Sequence, residues 1–402
     1  MRGRVVGYLW ERKNMGKPGR AFIAGAYEHP TRHAVDTSVA QLHAESAIGA
    51  LADAGLTKDD VDGYFCAGDA PGLGGLSMIE YMGLDVRYMD STDSGGSAYI
   101  VHLGHAVEAI AAGKCSVALI TLGGRPKGAG KAPLPDYGND TPDIGFETPY
   151  NQNIVNNYAM AAMRHRHEYG TTSEQLAWIK VAASHHAQHN EHAVLQNVVT
   201  VEDVVNSPMI ADPLHRLDCC VVSDGGGALV VVSPEIAKTL GDRCVKIMGQ
   251  GEASKTTNRG DIDLTYTGAV KSAPIAFEEA GLTPADIDMV TIYDSFTITV
   301  LISLEDLGFC EKGQGGKFVS DGNLISGVGK LPFNTDGGGL CNNHPSNRGS
   351  MTKVIEAVRQ VRGEAHPKVQ VPNCRFALAH GTGGLISTRI GSATAILGRN
   401  DA

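Results

Sequence analysis

The segment AGLTKDDVDGYFCAG at 54–68 returns as AGLTPADIDMVTIYD at 280–294, offset by 226 residues. Each copy reads as a helix end, a glycine stop, a threonine cap, an acidic turn and a strand. A supersecondary unit that occurs twice in one chain points to duplication, so the sequence predicts two similar halves packed together. The residues ahead of the first copy fit that reading. Residues 21–26 (AFIAGA) form a short apolar run expected to be a buried strand, and 39–54 (VAQLHAESAIGALADA) carries apolar positions at three- and four-residue spacing, expected to be a helix.

Outward from the first copy, the polar turn 89–96 (MDSTDSGG) opens a helix over 97–112, and a strand follows at 115–124. Outward from the second, a helical stretch at 295–307 leads to the loop Asn334–Gly349 (NTDGGGLCNNHPSNRG), a helix at 350–362, a strand at 375–381 and a closing strand at 392–398. Residues 125–213 match neither copy: a Pro/Gly-rich run to about 150 precedes helical segments at 154–169 and 173–189. An insertion of this size covers a site as a lid or substrate platform. The chain re-enters the core at 212–233, where the turn Asp224–Gly227 precedes another buried strand. The expected divisions are an extension at 1–20, a first half from 21–124 with 214–240, a loop domain at 125–213 and a second half at 241–402.

Composition excludes several classes. The 402 residues are 42% hydrophobic and 19% charged, with 50 glycines, the profile of a turn-rich α/β protein. No apolar run reaches the roughly 20 residues of a membrane helix. The first residues are basic, without an apolar signal core, so a cytoplasmic protein is expected. A net charge of −10 argues against general nucleic-acid binding. The 8 cysteines include no CxxC pair, which fits reduced thiols, and the adjacent Cys219 and Cys220 read as buried structural thiols. His185, His186, His189 and His192 lack the Glu of HExxH and read as a solvated helix face, so no metal is expected.

Four places carry candidate chemistry. His344, followed by a proline after three glycines, reads either as a site histidine or as a helix cap. Tyr293 and Asp294 end the second repeated strand where a helix begins, a place where α/β proteins put reacting groups; a packed core tyrosine is the other reading. The turn 93–97 (DSGGS), with Ser94 and Ser97, precedes a helix N-terminus able to hold an anion or acyl oxygen. No GK[ST] follows it and GxSxG is absent. Gly381 and Gly383, in the stretch His380–Gly384, read as a second oxyanion turn or a plain strand end.

With these loops in place, the chain resembles the thiolase superfamily, specifically the sterol-carrier-protein-X type, over about residues 20 to 400. The resemblance is carried by 158–176 (YAMAAMRHRHEYGTTSEQL), 209–225 (MIADPLHRLDCCVVSDG), 293–310 (YDSFTITVLISLEDLGFC) and 334–363 (NTDGGGLCNNHP through EAVRQVRG). It implies a duplicated α/β fold in five layers, αβαβα, with an inserted loop domain. Thiolases use a nucleophilic cysteine at a buried helix N-terminus, a Gly-His-Pro histidine, an Asn or His at the repeated strand end, and a second cysteine in Cys-x-Gly. In this sequence the nucleophile position falls on Gly96, the second cysteine on about Gly381, and the strand end on Tyr293; His344 alone persists.

Neither glycine supplies a thiolate, so ordinary thiolysis is not expected. Thiolase-like proteins with glycine and tyrosine at those positions act as retro-aldolases on β-hydroxyacyl-CoA. The resemblance therefore implies Tyr293 as base or proton relay, Asp294 as its orienting neighbour and His344 as donor to the thioester oxygen. Amides near Gly96, Ser97, Gly381 and Gly383 would form the enolate site. Those retro-aldolases often carry a second tyrosine where this chain has Cys-Asn-Asn-His at 341–344, which makes Cys341 a candidate displaced thiol. The alternatives are an atypical thiolase or acyltransferase on an aromatic or branched β-ketoacyl-CoA and a non-catalytic acyl-CoA-binding subunit. No cofactor is implied beyond coenzyme A within the substrate. The implied partners are a second copy and a small zinc-ribbon/OB-fold protein.

Overall fold

The two copies of the repeat fold alike in the computed structural model, which describes residues 18–129, 153–256, 262–345, 349–384 and 390–402. In each copy a helix ends on a left-handed glycine, Gly55 at φ +69° and Gly281 at φ +67°. A short 3-10 turn follows, closed by an aspartate that accepts from the threonine N–H three residues earlier: Thr57 to Asp60 and Thr283 to Asp286, both 2.8 Å. A strand then enters the sheet.

The strands are β1 (Phe22–Glu28), β2 (Gly63–Phe65), β3 (Tyr88–Asp90), β4 (Val117–Gly124), β5 (Met209–Ala211), β6 (Leu214–His215), β7 (Gly225–Val232), β8 (Val245–Lys255), β9 (Met289–Ile292), β10 (Phe376–Gly383) and β11 (Ile390–Gly398). Among the described residues, the helices of eight residues or more are α1 (Val39–Ala54), α2 (Gly75–Met82), α3 (Ala98–Ala111), α4 (Ile154–Tyr169), α5 (Ser173–Ala187), α6 (Ala269–Ala280), α7 (Thr297–Asp306) and α8 (Ser350–Arg362).

The large sheet reads β3-β2-β4-β7-β1-β8-β11-β10-β9. Apart from the edge strand β3 it is a palindrome. In the first half β2–β4 is parallel while β4–β7 and β7–β1 are antiparallel. In the second half β9–β10 is parallel while β10–β11 and β11–β8 are antiparallel. The halves join where Phe22 and Ile23 of β1 meet Lys246 and Val245 of β8.

Helix α1 packs outside β1, β7 and β4, and α6 packs outside β8 and β11. Between the two half-sheets lie α3 and α8, which touch each other and strands of both halves. Both central helices are buried along nearly their whole length, as a helix covered on all sides must be. The result is the five-layered α/β arrangement the resemblance implied.

Four sequence readings change. Gly225–Gly227 belongs to β7, and Gly381 and Gly383 to β10, so these glycines serve close packing rather than turns. A Cβ on Gly226 would lie 2.8 Å from the Leu122 carbonyl, and one on Gly383 would lie 1.7 Å from that of Ser94. Strand β8 went unrecognised because Gly249 and Gly251 interrupt its pattern; they let α6 approach, with Cβ positions 2.2 and 2.1 Å from the carbonyls of Ala276 and Ser272. The histidine run does not form one helix face: α5 ends at Ala187, His186 is buried with its Nε2 accepting from the Ser326 N–H at 2.9 Å, and His189 and the exposed His192 lie beyond the helix. Cys219 and Cys220 are half-buried, not core thiols.

A histidine is one of the ties between the two halves. His105, on α3, sits 2.5 Å from Asp90 of β3 and 3.5 Å from Glu252 of β8. Bonds to those carboxylates hold its imidazolium up to about pH 10. The folded-state value lies above the ordinary one, so the stabilisation is complete below about pH 6.5 and is lost as pH rises towards 10. We expect His105→Leu to lower stability by ~1 kcal/mol at neutral pH. The gap in thermal midpoint from wild type should shrink steadily in scans from pH 7 to pH 10; a gap constant with pH would remove the charge from the explanation.

Candidate active site

Tyr293 follows β9 and is fixed through its backbone. Its N–H donates to the His380 carbonyl at 2.9 Å. One residue earlier, the Asn334 carboxamide grips both backbone groups of Ile292: Oδ1 accepts from the N–H at 2.8 Å and Nδ2 donates to the carbonyl at 2.9 Å. The ring lies in a slot between two glycines. A Cβ on Gly96 would come within 2.9 Å of its Cζ and 2.1 Å of the Thr382 carbonyl, and one on Gly349 within 2.8 Å of its Cε2. The space of a side chain at Gly96, where the resemblance puts the thiolase nucleophile, is thus taken by the Thr382 carbonyl and the tyrosine ring. Gly96 lies just before α3, and Gly349 just before α8.

His344 arrives on the glycine loop. Gly337 and Gly338 turn the chain at φ +97° and +60°, and the Asp294 carboxylate accepts from the N–H groups of Gly339 (2.7 Å) and Leu340 (3.0 Å). Lys353 Nζ lies 3.1 Å from the same carboxylate; burial acts to lower its pKa, but Asp294 and Asp336 outweigh that and keep it charged. The Ser223 hydroxyl accepts from the His344 N–H at 2.8 Å. The loop is tied to the first half as well, since Arg32 donates to Asn342 Oδ1 at 2.8 Å.

These supports bring His344 Nε2 to 2.7 Å from Tyr293 Oη, with the rings tilted at 52°. Burial, reinforced by the Lys353 charge, pushes the imidazole pKa down to about 4. His344 is therefore neutral at physiological pH and can accept the phenol proton at Nε2.

The other expected residues take different places. Asp294 does not orient Tyr293 through its side chain; its carboxylate holds the glycine turn. Cys341 is fully buried in the core, with Lys180 Nζ 3.1 Å from its sulfur, and burial raises its thiol pKa. Ser97 is buried and its hydroxyl donates to the Ser94 carbonyl at 2.9 Å. Gly381 packs against this turn, where a Cβ would meet the Gly96 carbonyl at 3.1 Å. Asn334, Ser223, Lys353 and Gly349 were missed as site residues. Only Asn334 and Gly349 carried a signal, as the two ends of the quoted loop. No group of three His, Cys, Asp or Glu able to hold a metal occurs among the described residues. No helix among them is long and apolar enough to cross a membrane.

A duplicated five-layer α/β fold with a site histidine on a glycine loop and a strand-end residue against a central helix defines a class, and the comparisons agree: this chain belongs to the thiolase superfamily. A family model described as thiolase C-terminal domain-like matches residues 251–399. Within the superfamily the chain is 36% identical to a steroid side-chain-cleaving aldolase of Thermomonospora curvata, over 86% of this chain and 91% of that one. It is also 34% identical to an acetyl-CoA acetyltransferase of Methanothermobacter thermautotrophicus, over 88% and 94%. Among solved structures it superposes on an Ltp2-ChsH2(DUF35) aldolase with a TM-score of 0.86 at 32% identity, covering 96% of this chain and 99% of that one. The relatives span acyl transfer and aldol cleavage, so the site has to discriminate.

Proposed function

We propose that the protein cleaves the carbon–carbon bond of a β-hydroxyacyl-CoA by retro-aldol chemistry. The observation that carries this reading is the Tyr293 ring lodged against Gly96: the site holds a proton-transfer pair where acyl transfer needs a thiolate. Tyr293 takes the β-hydroxyl proton as its own phenol proton passes to His344 Nε2. The Cα–Cβ pair moves into the thioester as an enolate while the β-carbon becomes a carbonyl. Return of one proton to the α-carbon gives a shorter acyl-CoA and a ketone or aldehyde, so no free CoA is consumed. Because Nε2 is engaged with the phenol, we assign His344 to proton acceptance rather than to the thioester oxygen. The N-terminal end of α3 near Gly96 offers the positive end of a helix dipole to the enolate.

The test is mass spectrometry after incubation with panels of β-hydroxyacyl-CoA and β-ketoacyl-CoA, with and without CoA. Cleavage of the hydroxy series without CoA is expected; turnover of keto substrates strictly dependent on CoA would overturn the reading in favour of thiolysis. The pH profile gives a second check. The neutral imidazole persists above its pKa of about 4 and is lost as pH falls through it. The acid limb of kcat/KM is accordingly expected near pH 4; an inflection near 6.5 would mean a solvated histidine.

For partners we propose a homodimer joined at the edge strand β3. Exposed Met89 on that strand, with exposed Leu73, Leu76 and Tyr81 on and beside α2, supports it. The relation to an Ltp2-ChsH2(DUF35) aldolase supports a small zinc-ribbon/OB-fold partner. Eight free thiols support a reducing, cytoplasmic setting.

A further inference from the structure

Asn157, on α4 in the inserted region, is 1% exposed, and among the described residues neither its carbonyl oxygen nor its amide nitrogen has a hydrogen-bond partner. Two contacts locate it. One residue on, the Tyr158 ring stacks on Phe296 at 4.4 Å and 29°. Two turns on, along the same helix face as Tyr158, His165 Nε2 lies 3.0 Å from Glu305 Oε2. Helices α4 and α7 therefore run side by side in the same direction, and Asn157 is level with Ser295–Phe296, where α7 begins just after Tyr293 and Asp294. The polar side chains at that level are committed elsewhere: Ser295 to Thr299 at 3.1 Å, Thr297 to Asp218 at 2.7 Å. A buried carboxamide with both ends unbonded is costly unless something else completes it.

We infer that Asn157 anchors the substrate, its carboxamide pairing with a neutral group that both donates and accepts a hydrogen bond. This rests on the acyl-CoA reading above. A thioester substrate offers such a group in two places, the secondary amides of the pantetheine arm and a hydroxyl on the acyl chain. The aromatic pair at the level of Asn157 suits either and disfavours a phosphate.

The test uses Asn157→Leu, which keeps volume and removes both hydrogen-bonding ends, and Asn157→Ala as a smaller variant should the first fail to fold. Binding is measured by calorimetry with two probes, a saturated acyl-CoA that retains the amides and a β-hydroxyacyl S-ethyl thioester that retains only the hydroxyl. Neither readout needs turnover, so failure of the retro-aldol reading leaves this result interpretable. At least tenfold weaker binding of the first probe assigns the anchor to the pantetheine amide, and the same loss on the second alone assigns it to the acyl hydroxyl. Unchanged affinity for both probes in a folded variant, meaning that Asn157 holds water only, overturns the inference.

Discussion

Tyr293→Phe is expected to lower kcat/KM for retro-aldol cleavage at least about thirtyfold, or roughly 2 kcal/mol of transition-state stabilisation, with little change in thermal midpoint. The ring would stay in its glycine slot, because the contacts with Gly96 and Gly349 are made by carbons that phenylalanine retains. What disappears is the oxygen 2.7 Å from His344, the one atom linking the substrate hydroxyl to the imidazole. The loss should fall on kcat more than on KM, since proton transfer is made in the transition state. Steady-state kinetics with calorimetric control of folding decide the matter, and undiminished turnover would sink the role of Tyr293.

Gly96→Cys is expected to fail at restoring thiolase chemistry and to suppress cleavage about a hundredfold. A side chain there must push aside either the backbone carbonyl of Thr382, 2.1 Å from the new Cβ, or the ring of Tyr293, 2.9 Å away. The ring is the softer obstacle, and misplacing a reacting group by an ångström typically costs about a hundredfold. Overpacking at this buried junction should also lower stability by ~1–3 kcal/mol. Gly96→Ala separates sterics from sulfur chemistry: it should reproduce the loss without any thiol. CoA-dependent cleavage of a β-ketoacyl-CoA by the cysteine variant would show that thiolate and tyrosine coexist, against the geometry described.

Much of this was legible in the chain because it is local. The repeat fixed by Gly55 and Gly281, the two threonine-capped turns and the strand-end placement of Tyr293 depend on neighbours a few residues away. His344 was legible for the same reason, standing after a glycine turn. Direction was not. Asp294 could have turned towards Tyr293, but the N–H groups of Gly339 and Leu340, brought from 45 and 46 residues away, claim its carboxylate. Cys341 faces the core, where it packs among apolar side chains with Lys180 of the inserted helix α5 at its sulfur. Strand β8 was hidden because its glycines answer to α6, a requirement that only the packed structure states.

The slot around Tyr293 draws on both copies of the repeat. Its two walls, Gly96 and Gly349, lie just ahead of the central helices of the two copies. The copies differ at the strand end itself: one carries Tyr293, the other Ala67 at the matching place, 226 residues earlier. An otherwise equal frame thus holds one unequal residue. A duplicated chain permits that asymmetry; a pair of identical chains could not place a tyrosine at one strand end without placing it at the other.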